Sequence, residues 1–126
     1  MSENLSQRVG DQRVRNRIME VTETLAFGDE GVRQVGLKEY FEQFYDWIPN
    51  NDDGSALRNS AITEIERNLI TAVRTLLDNA CDVTPDMSEE EFIETGWPRR
   101  IQPFARETLD VMLRRGKFSE EIVPSS

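Results

Sequence analysis

Carboxylates at helical spacing are the side chains of this sequence that come closest to a catalytic pattern. Glu39, Glu42 and Asp46 follow one another at intervals of three and four residues, and Glu20 and Glu23 repeat the shorter interval. Residues three or four apart share one face of a helix, so each set could hold a Mg²⁺ ion with water molecules as the remaining ligands. A metal-dependent phosphohydrolase is therefore one function that the sequence allows.

The direction of these carboxylates counts against such a site. At 100° per residue, Glu39 and Glu42 lie opposite the apolar stripe of their own helix, and Glu20 and Glu23 lie opposite theirs. A catalytic metal in a helical bundle needs ligands that point inward. We therefore expect solvated carboxylates, no metal and no cofactor, and we keep the phosphohydrolase that uses Glu39, Glu42 and Asp46 as an alternative.

Histidine is absent and cysteine occurs once, at position 81. Without histidine, Ser-His-Asp and Cys-His catalysis are excluded, as are zinc sites that contain histidine. A single cysteine cannot form a disulfide within the chain. Cys81 follows an alanine near the end of a long apolar segment, so we expect a buried and inert thiol. We therefore expect a protein without catalytic activity rather than an enzyme.

Glu66 breaks an otherwise regular pattern. With Ile62 at 0° on a helical wheel, Glu66 falls near 40°, inside the apolar arc of its segment. A carboxylate in that position should be paired, because burying an unpaired charge is costly. Arg115 falls within the apolar arc of the last helix in the same way. We therefore predict an ion pair between helices that includes Glu66, with Glu66 and Arg115 as candidates for buried polar residues.

Aromatic residues are concentrated in the segment 37–48. Its apolar side chains span about 160° of a helical wheel, which is wider than one small contact would cover. Core packing accounts for much of this arc, and the remainder could cover a second copy or a partner helix. The candidate partner-binding residues are Tyr40, Phe44, Tyr45, Trp47 and Trp97.

Charge is unevenly distributed along the chain. The 126 residues include 24 acids and 15 bases, a formal net charge of −9. Residues 29–94 carry −11, and residues 97–117 carry +4. The negative total repels nucleic acid, so we regard nucleic-acid binding as unlikely. Binding through the arginine-rich segment between Arg99 and Arg115 remains a further alternative.

Hydrophobic periodicity predicts an all-α, single-domain bundle of about five helices, two of them short. Residues 1–10 are expected to form a flexible arm, 11–118 the bundle and 119–126 a tail. The helices are placed at 11–27, at 37–48 before Pro49, at about 60–81 with Asn59 or Ser60 as the cap, at 88–96, and at 103–115 after a turn at Pro98. Residues 29–36 contain two glycines and are assigned to a loop. A capping box is predicted for Ser88 and Glu91.

These observations favour an interaction protein over an enzyme. We expect a small acidic helical module that forms a homodimer or binds a basic protein, as bacterial immunity proteins and antitoxins do. The likeness to those proteins is one of charge alone. No apolar run approaches the length of a membrane span and no signal sequence is evident, so a cytoplasmic, bacterial protein without a membrane partner is expected.

Overall fold

The computed structural model describes residues 2–48, 59–84 and 86–118. These residues form six helices and no strand, which confirms the all-α bundle. The helices are α1 (Ser2–Ala26), α2 (Asp29–Val35), α3 (Leu37–Trp47), α4 (Glu64–Val83), α5 (Glu89–Glu94) and α6 (Trp97–Leu113). The predicted tail at 119–126 lies outside the described residues.

One apolar core is shared by the helices. α6 packs along both α1 and α4, while α3 crosses α1 and α2. The short helix α5 closes the end of the bundle between α2 and α6. There, the rings of Tyr40, Phe41 and Phe92 meet at centroid distances of 5.3–5.7 Å. Burial of large aromatic side chains of this kind contributes much of the stability of a small domain.

The predicted arm at the start of the chain is instead helical. α1 begins at Ser2, about nine residues earlier than hydrophobic periodicity indicated. Its first turns are polar but not isolated: the Arg8 guanidinium donates to the carbonyl of Ser60 and, through Nε, to Gln12 Oε1 at 3.1 Å. Polar contacts within α1 and to the segment that precedes α4 thus stabilise a helical start that has no apolar stripe to mark it.

The predicted loop at 29–36 contains a helix. α2 follows Gly28, whose φ of 60° is in the left-handed region that favours glycine. Gly31, inside α2, lies so close to α1 that a Cβ built on it would be 2.1 Å from the Thr24 carbonyl oxygen. The glycines therefore permit a turn and a close helix contact, and they do not interrupt the helix.

The beginnings of α4 and α6 also differ from their predicted positions. α4 starts at Glu64, and its cap is Thr63, whose hydroxyl accepts from the Glu66 backbone N–H while Glu66 accepts from the Thr63 N–H. α6 is continuous through Pro103. Pro98 near its start and burial of its inner face outweigh the one backbone hydrogen bond that Pro103 cannot donate. The capping box of Ser88 and Glu91 is confirmed.

None of the helices within the described ranges is both long and apolar enough to cross a membrane.

Candidate interaction surface

The fold gives the five aromatic candidates for partner binding different degrees of burial. Tyr40 and Phe44 are wholly buried, so the expectation that they contact a partner is wrong. They fill the core because α3 turns them towards α1 and α5. Trp47 is exposed, whereas Tyr45 and Trp97 are half-buried. The aromatic arc of α3 is thus used mainly inside the molecule.

The three carboxylates of the alternative metal site point outward. Glu39, Glu42 and Asp46 are all exposed on α3. Within the described part of the chain, no three acidic or cysteine side chains come together in a group that could hold a metal ion. The structure therefore gives the phosphohydrolase alternative no site among these residues.

Glu66 lies at the centre of a buried ion-pair network. Its side chain is 1% exposed, and its carboxylate contacts Arg15 of α1 at 2.8 Å and Arg115, just after α6, at 2.6 Å. This is the bridge between helices expected from the sequence, with one correction. Arg115 lies on the exposed side of the network, and the fully buried arginine is Arg15.

Arg15 is held by more than one acceptor. Besides Glu66, its guanidinium donates to the Met112 carbonyl at 2.9 Å and to the Gly116 carbonyl at 2.7 Å. Buried charges persist where their hydrogen bonds are satisfied in this way. Burial alone raises the pKa of Glu66, but the hydrogen bonds from Arg115, Arg15 and the Thr63 backbone outweigh it and leave the pKa below its ordinary value.

The network fixes the end of the described chain. The guanidinium carbons of Arg15 and Arg115 lie 4.4 and 4.9 Å from the centroid of the Phe118 ring. Asn16 donates to the Phe118 carbonyl at 2.8 Å and accepts from its N–H at 3.0 Å. Because all of these groups satisfy one another, we interpret the network as structural.

The arginines of α6 serve the protein's own surface. Arg106 donates to the Ala26 carbonyl at 3.2 Å, and Arg100 stacks 4.9 Å from the centroid of Trp97. Arg99 lies 4.0 Å from the Asp29 carboxylate. With Arg115 on Glu66, four of the arginines proposed for a nucleic-acid site have partners within the chain. This arrangement weakens the nucleic-acid alternative.

A shallow groove of about 520 Å³ lies between α3 and the end of α4. Tyr45 lines the groove, and its hydroxyl donates to Asp78 Oδ1 at 2.6 Å. The pKa of Tyr45 is raised, first by burial and then by this hydrogen bond. Cys81 lines the groove and is exposed, so the expectation of a buried thiol is wrong. Partial burial and the neighbours Asp82 and Asp78 raise its pKa, which keeps the thiol protonated and poorly nucleophilic.

The outer side of α4 differs from every other exposed helix surface described above. Between Ile65 and Cys81, all of its exposed residues are uncharged: Ile65, Asn68, Ala72, Thr75, Asn79 and Cys81. Ile65 is 65% exposed, although its neighbour Glu66 is buried. Hydrophobic periodicity predicts that the apolar face of this segment is formed by Ile62, Ile65, Leu69, Ala72, Val73, Leu76 and Ala80, and for the exposed Ile65 and Ala72 this prediction is wrong. The core side consists of Ile70, Val73, Leu77 and Ala80.

Rotation of α4 about its axis explains the difference. Turning Glu66 inward, towards Arg15 and Arg115, brings Ile70 and Leu77 into the core. The same rotation leaves a second apolar row at the edge of the core side, in which Ile65, Ala72 and Val83 are exposed while Leu69 and Leu76 are half-buried, Leu76 against the core. We call this row the α4 seam; its members are Ile65, Leu69, Ala72, Leu76 and Val83, with Asn79 in the same register.

Negative charge is concentrated on α2, α3 and α5. Residues 29–48 and 86–94, which form α2, α3 and α5, contain ten acids and two bases, a net charge of −8. α2 touches both α3 and α5, so these acids belong to one end of the molecule. We call this set the acidic end.

No family model, curated protein or solved structure matches this chain.

Proposed function

We propose that this protein is a non-catalytic interaction module that binds another protein molecule through the α4 seam. The observation that carries the proposal is the seam itself, an apolar and uncharged row along a helix of a chain in which 31% of residues are charged. An amphipathic helix at a protein surface ordinarily places charged and polar residues on its outer side.

The seam is of the right kind for contact with a helix. Counting Asn79, its members recur at alternating intervals of four and three residues from Ile65 to Val83. This spacing is the heptad pattern, in which one helix presents a stripe to another and side chains interlock. Scattered apolar residues on a surface need no explanation, but a contiguous stripe at this spacing does.

The position of α4 supports the same conclusion. Among the described helices, only α6 packs along α4 over much of its length. Within the described residues, a helix of 20 residues with one extensive neighbour leaves one of its sides uncovered. Because Ile65 and Ala72 are exposed, their side chains are available to contact another protein molecule.

The acidic end favours a second candidate function, the binding of a basic protein. A net charge of −8 on α2, α3 and α5 would attract positive surfaces and accelerate their association. Such binding would weaken as salt is added. Reversal of charge at Glu39 and Glu42, which are both exposed, would weaken it further.

Affinity capture from the source cell tests the interaction function. A tagged chain is compared with its Ala72→Arg variant, in which a charge is placed at the middle of the seam. The control is Gln34→Arg, which adds the same charge to an exposed position on α2. We expect the wild type and the control to retain the same protein, including any untagged copy of the chain, and Ala72→Arg to lose it. Equal recovery with all three chains, or recovery of nothing, contradicts the proposal.

A further inference from the structure

The α4 seam has a property that selects its partner: it is neutral, whereas the protein is strongly acidic. Two copies of a chain with a net charge of −9 repel one another when they approach through charged surfaces. The repulsion is least where the surface carries no charge. None of the exposed residues of α4 between Glu64 and Asp82 is charged, and Arg67, Arg74 and Asp78 are half-buried.

The residues beside the seam are also suited to an identical neighbour. The exposed positions next to it are Asn68, Thr75 and Asn79, whose side chains both donate and accept hydrogen bonds. A surface that lacks net charge but contains both donors and acceptors can be complementary to itself. Self-complementarity is what a twofold interface requires, because each residue meets the same patch on the other copy.

Asn79 occupies a heptad position within the seam, seven residues after Ala72. A polar asparagine at such a position reduces stability but fixes the register and number of helices that associate. Exposed aliphatic residues that contact no other helix would not require an asparagine at this heptad position.

We infer that the occupant of the α4 seam is a second copy of this chain, which forms a twofold dimer by packing α4 against α4. This inference rests on the proposed interaction function and names its partner. A basic partner does not fit the seam, because none of the seam residues is a carboxylate that could pair with lysine or arginine.

Light scattering coupled to size-exclusion chromatography of the full chain tests the inference. We expect the wild type to have twice the 14.6 kDa mass of one chain. Ala72→Arg should have the mass of a single chain and an unchanged circular-dichroism spectrum, because residue 72 is exposed and arginine is a good helix former. Ile65→Ser provides a second disruption that does not depend on charge.

Matched controls separate the seam from other exposed positions. Leu113→Ser removes an exposed aliphatic side chain from α6, and Gln34→Arg adds a charge to α2; both should remain dimeric. A wild type of single-chain mass overturns the dimer, as does a dimer that survives both Ala72→Arg and Ile65→Ser. A single-chain mass combined with capture of a different protein that Ala72→Arg abolishes would overturn only the dimer and leave the interaction function intact.

Discussion

α3 and α4 are both amphipathic, but only α4 departs from the usual burial of apolar and exposure of charged residues, at two neighbouring positions. On α3, Tyr40 and Phe44 are buried while Glu39, Glu42 and Asp46 are exposed. On α4, the charged Glu66 is buried and its neighbour Ile65 is exposed. The α3 arrangement is what water and a core impose on any helix. The α4 arrangement requires specific partners, two arginines inside the molecule and, in our proposal, a second copy outside it.

Replacing one carboxylate on each helix tests this comparison. Glu66→Ala leaves Arg15 buried without its counter-charge, which we expect to reduce the free energy of unfolding by about 3–5 kcal/mol. Glu42→Ala on α3 removes an exposed group and should change it by no more than about 0.5 kcal/mol. Urea unfolding measures the free energy of unfolding of both variants. Equal losses would show that the buried Glu66 does not stabilise the observed orientation of α4.

Two isoleucines on α4 itself sharpen the distinction between its sides. Ile70 is fully buried and Ile65 is 65% exposed. In the background of Ala72→Arg, which removes any dimer, Ile70→Ala should lower the free energy of unfolding by about 2–5 kcal/mol because it leaves a cavity. Ile65→Ala in the same background should cost no more than about 0.5 kcal/mol. The opposite order would mean that α4 is rotated as hydrophobic periodicity alone suggested.

The acid sensitivity of folding should depend on Glu66. Its pKa is lowered in the folded state from an ordinary value of 4.5. A group with a lowered folded pKa stabilises the protein above its unfolded pKa, and that contribution is lost as the pH falls through the folded pKa. We therefore expect the stability of the wild type to decrease below about pH 4.5, and to decrease less steeply in Glu66→Gln.

Chemical unfolding at several pH values measures this dependence, with Glu42→Gln as the control that keeps the slope of the wild type. Parallel curves for the wild type and Glu66→Gln would contradict the assignment of the buried ion pair.

Salt distinguishes the α4 seam from the acidic end. Added salt screens the repulsion between two acidic copies, so the Kd of the dimer should fall by a few-fold between low and physiological ionic strength. Binding of a basic protein to the acidic end should respond in the opposite sense. Sedimentation equilibrium at two salt concentrations gives the sign, and a dimer that dissociates as salt rises would point to α2, α3 and α5 as the interface.

Tyr40 provides the smallest test, on the inner side of α3. Its hydroxyl is buried and, within the described residues, has no hydrogen-bond partner, while burial and, to a smaller extent, the Asp29 charge raise its pKa. Tyr40→Phe removes only that hydroxyl. We expect the free energy of unfolding to be unchanged or to increase by about 1 kcal/mol. A loss of more than this amount in thermal unfolding would indicate that the hydroxyl has a partner that stabilises it.

The comparison also shows which parts of the molecule could be predicted from its sequence. α3 was predictable, because its stripe and its charges agree with its burial. For α4 the inward position of Glu66 and its ion pair were predictable, but the exposure of Ile65 and Ala72 was not, because the orientation of the helix depends on Arg15 and Arg115, which are 51 and 49 residues away from Glu66. One local signal was available: Thr63 and Glu66 have the spacing of a capping box, which places the helix start after Thr63.

The most direct test of the central claim compares the solvent accessibility of the two outer faces. A neutral, soluble gadolinium chelate broadens NMR signals of atoms that it can approach. We expect the methyl signals of Ile65 and Ala72 to be protected at high protein concentration and broadened at low concentration. In Ala72→Arg, the methyl signals of Ile65 should be broadened at every concentration. The indole of Trp47 on α3 should be broadened under all conditions. Equal broadening of Ile65 at every concentration would contradict a protein contact at the α4 seam.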